Sequence, residues 1–122
     1  YIRHAKALIQ AGSTFSHDSS MLELGYELEL VPQQNPYRKS VDDELEVRLL
    51  YQGQAAADIQ VVAFSKQQPE QAQIRRSDDN GMVRFKLDHP GPWLIKAVKI
   101  IRLQRDRAEW QSHWASLTFA VR

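Results

Sequence analysis

The stretch SDDNGMVRFKLDHPGPWLIKAV, residues 77–98, decides the fold. It reads as a tight turn, a strand, a second tight turn and a second strand. Asp79, Asn80 and Gly81 supply the first turn, because Asn and Gly tolerate the positive φ that two-residue hairpin loops require. From Met82 to Leu87 the chain alternates. Val83, Phe85 and Leu87 fall on one face and Arg84 and Lys86 on the other, the period-two pattern of a half-buried strand. His89, Pro90, Gly91 and Pro92 interrupt it, since proline removes backbone donors and Gly91 relieves the bend. Trp93, Ile95 and Ala97 resume the alternation. The expected fold is all-β, an antiparallel β-sandwich.

The flanks agree. Residues 22–31 give the cleanest alternation, with Leu22, Leu24, Tyr26, Leu28 and Leu30 against Glu23, Glu27 and Glu29, as in a strand with one wet face. Residues 44–52 set Leu45, Val47, Leu49 and Tyr51 against Glu46 and Arg48, and Gly53 then turns the chain. Residues 58–66 are apolar on both faces, which predicts a more central strand. Residues 1–11 read as a strand with Ile2, His4, Lys6 and Leu8 on one face, although Ala, Lys and Gln make helix a competitor. Residues 12–20, 32–40 and 67–70 are loops, and 72–76 lead into the central stretch. At the other end, 93–103 predicts a long strand, 104–109 a charged hairpin loop and 110–121 the returning strand. A helix over 105–116 is the rival, since Trp110 and Trp114 are four apart. The total is seven to eight strands in a single domain spanning residues 1–122.

Composition excludes more than it selects. A chain of 122 residues buries roughly two-thirds of its unfolded surface, enough for a core without staples. There are no cysteines, so disulfides, thiolate metal sites and cysteine nucleophiles are excluded. Net charge is +1 and the basic residues are scattered along the sequence, so nothing points to nucleic acid or a strongly acidic partner. No apolar run approaches the ~20 residues of a membrane span. The first residue is Tyr rather than Met and no leader precedes it, which is the expectation for a fragment of a longer protein.

Few residues carry candidate chemistry. Aligning Gly81 with the glycine of a calcium loop puts Arg76 and Leu87 where ligands belong, so that segment is a turn. The histidines are His4, His17, His89 and His113, with no close helical pair among them. On strand parity His113 shares a face with Leu117 and Phe119, and His4 with Ile2 and Leu8. If the first and last strands are neighbours these two converge, and imidazole suits nickel, copper or zinc. The plainer reading of each is a hydrogen-bonded edge histidine. Glu23, Glu27 and Glu29 form an acidic stripe that faces water or pairs with Arg48. Trp93 reads as a core plug, whereas Trp110 and Trp114 offer a stacking or partner-binding surface. No nucleophile elbow, phosphate loop or dinucleotide turn is present, so no catalytic residues are assigned and an enzyme is not expected.

Two segments resemble extracytoplasmic Ig-like modules of the carboxypeptidase-regulatory and transthyretin-like groups: LLYQGQAAADIQVVAF at 49–64 and the turn-strand-turn-strand stretch from Asp78 to Ala97. Together with YIRHAKALIQAG at 1–12, LELVPQQNPY at 28–37, GPWLIKAV at 91–98 and WQSHWASLTFAV at 110–121, the chain resembles the bacterial domain of unknown function 4198. The resemblance implies an Ig/transthyretin-like sandwich from the C-terminal part of a longer, periplasmic protein associated with nickel and cobalt uptake. It implies a non-catalytic binding or accessory role with a nickel or cobalt ion as ligand, for which His113 and His4 are the candidates that strand parity offers. The implied partner is a membrane metal transporter or the protein's own N-terminal domain; from the residues themselves, Trp110 and Trp114 are the candidate partner-binding surface, where a missing domain would dock. The alternative is an adhesion-type spacer module without a small ligand.

Overall fold

A computed structural model describes residues 2–7, 27–102 and 110–121, with backbone alone for 2–4, 6, 7, 101, 102, 110 and 111. Its strands are β1 (Ile2–Ala7), β2 (Leu28–Pro32), β3 (Glu44–Tyr51), β4 (Gln54–Ala55), β5 (Gln60–Ser65), β6 (Gln73–Arg76), β7 (Met82–Lys86), β8 (Gly91–Arg102) and β9 (Trp110–Val121). One turn of 3-10 helix, Pro36–Arg38, is the only helical element among the described residues. The expected sandwich is present; the strand beyond the expected eight is β4, of two residues. The first sheet runs β1-β9-β8-β5-β6. In the second, β2 pairs with one edge of β3 while β4 and β7 share the other. No described helix is long and apolar enough to cross a membrane.

The alternation places the core as read. Val61, Ala63, Trp93, Ile95, Ala97, Leu117 and Phe119 of the first sheet are buried against Leu28, Leu30, Leu45, Val47, Leu49, Val83 and Phe85 of the second. β8 and β9 pair antiparallel from Gly91↔Val121 to Arg102↔Trp110, so residues 110–116 are strand and the rival helix is excluded there. Residues 103–109, the loop at 12–20 and residues 22–26 lie outside the described residues. β5 sits between β8 and β6, as its two apolar faces predict. β1 joins β9 in parallel, so the first and last strands are neighbours.

The decisive stretch holds a correction. Its strands are where the alternation puts them, but neither turn is a hairpin. β6 and β8 belong to the first sheet and β7 to the second, so the chain crosses between sheets on both sides of β7. The turn before β7 closes on itself, with the Asp78 amide bonded to the Met82 carbonyl (3.1 Å), and no β6–β7 ladder continues from it. Asp78 Oδ1 accepts from the backbone amides of Asn80 (2.8 Å) and Met82 (2.9 Å), and the carbonyl of Gly81 accepts from the amide of Leu49 (2.7 Å). At the second crossing the indole of Trp93 donates to the carbonyl of His89 (2.8 Å). The side chain of Gln73 closes the open edge between the sheets. Its amide nitrogen donates to the Lys86 carbonyl (2.6 Å) and its oxygen accepts from the Lys86 amide (3.0 Å), as a neighbouring strand would.

A second correction concerns β2. The sequence predicts one wet face, yet all five residues are buried, Glu29 at 2 % exposure and Val31 at 3 % among them. Arg48, the expected partner of the acidic stripe, donates through Nε to the carbonyl of Asn80 (3.0 Å).

Gly81 carries the tightest backbone constraint. Its φ is +76°, and a Cβ there would overlap the carbonyl oxygen of Leu49, which is fixed in the β3 ladder. Gly53 has a similar φ, +78°, but open space around it. Gly53→Ala is expected to cost about 1 kcal/mol, from the left-handed conformation alone. Gly81→Ala should cost at least ~2 kcal/mol, because backbone must also move. Urea denaturation of the two variants checks the difference.

Candidate functional site

The polar groups that converge inside the sandwich do so at one end. Tyr51 ends the inward row Leu45, Val47, Leu49 of β3. Lys99 continues the inward row Trp93, Ile95, Ala97 of β8, and its cross-strand partner is His113 of β9. The amide of Gln52 donates to the carbonyl of Glu27 (2.7 Å), extending the β2–β3 ladder and holding Glu27 at the same end. Strand parity aims Tyr51, Lys99 and His113 at one another from the two sheets, whereas Glu27, just before β2 and on the opposite parity to Leu28, reaches His113 from the end of the strand.

His113 is fully buried, with Nε2 3.4 Å from Oε2 of Glu27. Its ring meets Tyr51 edge-on, centroids 5.8 Å apart and planes at 74°, the arrangement that ring quadrupoles favour. The Lys99 ammonium sits over the other partner, 5.0 Å from the centroid of the Tyr51 ring. Beside them a cavity of about 350 Å³ is lined by Tyr51, Gln52, Gln54, Ala55, Ala56, Ala57 and Lys99. His113 is thus no edge histidine: it lies in the core on an interior strand, flanked by β1 and β8.

The other expected site residues are dispersed. β1 and β9 pair with Ile2↔His113 and His4↔Ala115, so His4 stands two residues along the neighbouring strand from the His113 row. His89 caps a turn at the opposite end, with Nδ1 2.9 Å from Oδ1 of Asp88. The Lys99↔His113 row stands eight positions beyond Gly91, where the strand after His89 starts, about 26 Å at strand rise, so His89 cannot share an ion with His113. His17 lies outside the described residues. Among the described residues no group of three His, Asp or Glu side chains could hold a metal ion, and the donor set at this end numbers two, His113 and Glu27. An ammonium close by is an unfavourable neighbour for a divalent cation. The residues described therefore fit a metal only in part.

Trp114 faces outward, 37 % exposed, and its indole donates to Oγ of Ser112 (3.3 Å). Trp110 opens β9 opposite Arg102, and its side chain lies outside the described residues. Parity would have found Lys99 and Tyr51, both at inward positions of their strands. Glu27 was read only as part of a wet stripe.

A family description matches residues 1–100. The chain belongs to the family of the domain of unknown function DUF4198. The match ends within β8, so His113 and Trp114 stand beyond the matched residues. No curated protein and no solved structure matches the chain.

One ion pair in this half of the molecule is fully exposed and instructive. Arg76 of β6 donates from Nε to Oδ1 of Asp58 (2.6 Å), in a loop where Ser77 Oγ also donates to the Ala56 carbonyl (2.6 Å). This hydrogen bond, and then the charge of the guanidinium, holds the Asp58 carboxyl below the usual aspartate range. The pair's contribution is complete above that range and is lost as pH falls toward the depressed value. A carboxylate-carbon NMR titration should find Asp58 titrating low in the native chain and near the ordinary aspartate value in Arg76→Gln. For the buried cluster, His113→Ala should cost about 2–4 kcal/mol, as large-to-small core changes do. Glu27→Gln should cost under ~1 kcal/mol, as for a half-exposed pair. Both are read by urea denaturation.

Proposed function

We propose that this domain is a non-catalytic binding or accessory module that works in the periplasm beside nickel or cobalt uptake. One observation carries the reading: a fully buried imidazole, His113, turned to the carboxylate of Glu27 where both sheets meet. Imidazole and carboxylate are donors that nickel and cobalt accept. The missing third donor is supplied in this reading by His4, whose strand runs beside that of His113. Membership of a family without assigned activity is compatible with an accessory role and adds no residue to it.

A second reading has its own observation. The Lys99 ammonium over Tyr51 adds to the His113–Glu27 and His113–Tyr51 contacts to make a cluster of four side chains that engage one another, which favours a structural role for the four and a spacer module without a small ligand. Calorimetric titration of Ni²⁺ and Co²⁺ at neutral pH separates the two. The metal reading expects stoichiometric binding that is lost in His113→Gln and in His4→Gln and weakened in Glu27→Gln, with circular dichroism confirming that each variant is folded. Heats equal to those of a control protein leave the spacer reading standing.

A further inference from the structure

The strands of the first sheet contain Arg3, Lys6, Arg75, Arg76, Lys96, Lys99 and Arg102 and neither Asp nor Glu. Basic residues scattered in the sequence are therefore collected by the topology onto one layer, whereas the strands of the second sheet carry both signs. Of those basic residues whose side chains are described, Lys96 and Arg76 stand on the outward face by parity while Lys99 turns inward, and that outward face is apolar as well. Ile100 is 62 % exposed and Trp114 37 %, and Leu94 and Val98 lie beside them on the same parity of β8.

At the centre of this face is a trough of about 330 Å³. Ala5 and Ser116, small residues on adjacent strands, leave a dip between Leu94 and Trp114, and Lys96 stands at its side. Lys96 is exposed, its cross-strand partners are Val62 and Ser116, and its ammonium lies 5.7 Å from the ring centroid of Phe64. No carboxylate of its own sheet can neutralise it. Arg76, by contrast, is already paired with Asp58.

We propose that this face docks an acidic segment of a partner protein, with one apolar side chain of that segment seated between Leu94 and Trp114 and a carboxylate on Lys96. Charge complementarity selects the sign of the partner. The trough selects a polypeptide, because a side-chain-sized dip beside an aromatic anchor is what a protein hot spot fills. A nucleic acid would need several cations in register with its phosphates, and among the side chains described on this face Lys96 stands without a carboxylate while Arg76 has one. The proposal goes beyond the reading above and stands whether or not His113 holds a metal.

The test uses the ¹⁵N-labelled 122-residue chain and a short glutamate-rich peptide bearing a single phenylalanine. The expected result is that amide resonances of residues 94–98 and 114–118 shift, and that affinity falls with added salt. Lys96→Glu and Trp114→Ala, both at exposed positions, should each weaken binding roughly tenfold, the loss typical of an anchor residue. Controls are the lysine counterpart of the peptide, vesicles containing phosphatidylglycerol and a single-stranded DNA oligomer. Any one of three results overturns the proposal: shifts confined to other parts of the chain, wild-type affinity in Lys96→Glu, or Lys96-dependent binding of vesicles or DNA tighter than that of the peptide.

Discussion

The β8–β9 ladder sets the facing of nearly every residue that matters here. It runs unbroken from Gly91↔Val121 to Arg102↔Trp110, and its register aims Trp93, Ile95, Ala97, Ala115, Leu117 and Phe119 inward. The same register delivers Lys99 and His113 to the inner end and Lys96 and Trp114 to the outer face. A slip of one residue on either strand would exchange the two sets, burying an indole beside small residues and expelling the core. The chain holds the register at one end through Trp93, whose bulk is in the core and whose indole nitrogen is bonded to His89.

The two sheets solve their charge problem differently. In the second sheet, Arg84 lies 2.9 Å from Glu46 on the adjoining strand, a cross-strand pair of the usual kind. In the first sheet no such pair can form, and repulsion is limited by spacing. Lys96 is flanked by Val62 and Ser116, and Lys99 by His113, so no two cations stand directly opposite each other across the β5–β8–β9 rows. A sheet can carry one sign at little cost when its charges are staggered in this way.

The alternation of apolar residues was legible because period two is a local property, and the core it implies is the core observed. Three things were not legible, each for a physical reason. Gly81, after Asn80, supplies the positive φ of a sharp turn whether the flanking strands pair or part, so the crossing between sheets cannot be told from a hairpin. Glu29 reads as a solvent-facing residue because its charge outweighs its neighbours in any pattern, yet both faces of β2 are covered. The cationic layer is assembled from residues as distant as Arg3 and Arg102, which only the strand order brings together. At the candidate site the same holds: parity places His113 inward, but Glu27 and Tyr51 meet it from the opposite sheet, and sequence spacing says nothing about facing layers.

β1 and β9 are paired in parallel, although more than a hundred residues separate Ile2 from His113. A chain delivered N-terminus first, from a ribosome or through a pore, therefore presents its opening strand long before a partner for it exists. That partner, β9, is also an interior strand, lying between β1 and β8. Until it arrives, β8 offers a twelve-residue edge with its backbone donors and acceptors unpaired on one side. Completion of the first sheet therefore waits for β9, and the half-made domain is at its most adhesive just before that strand is added.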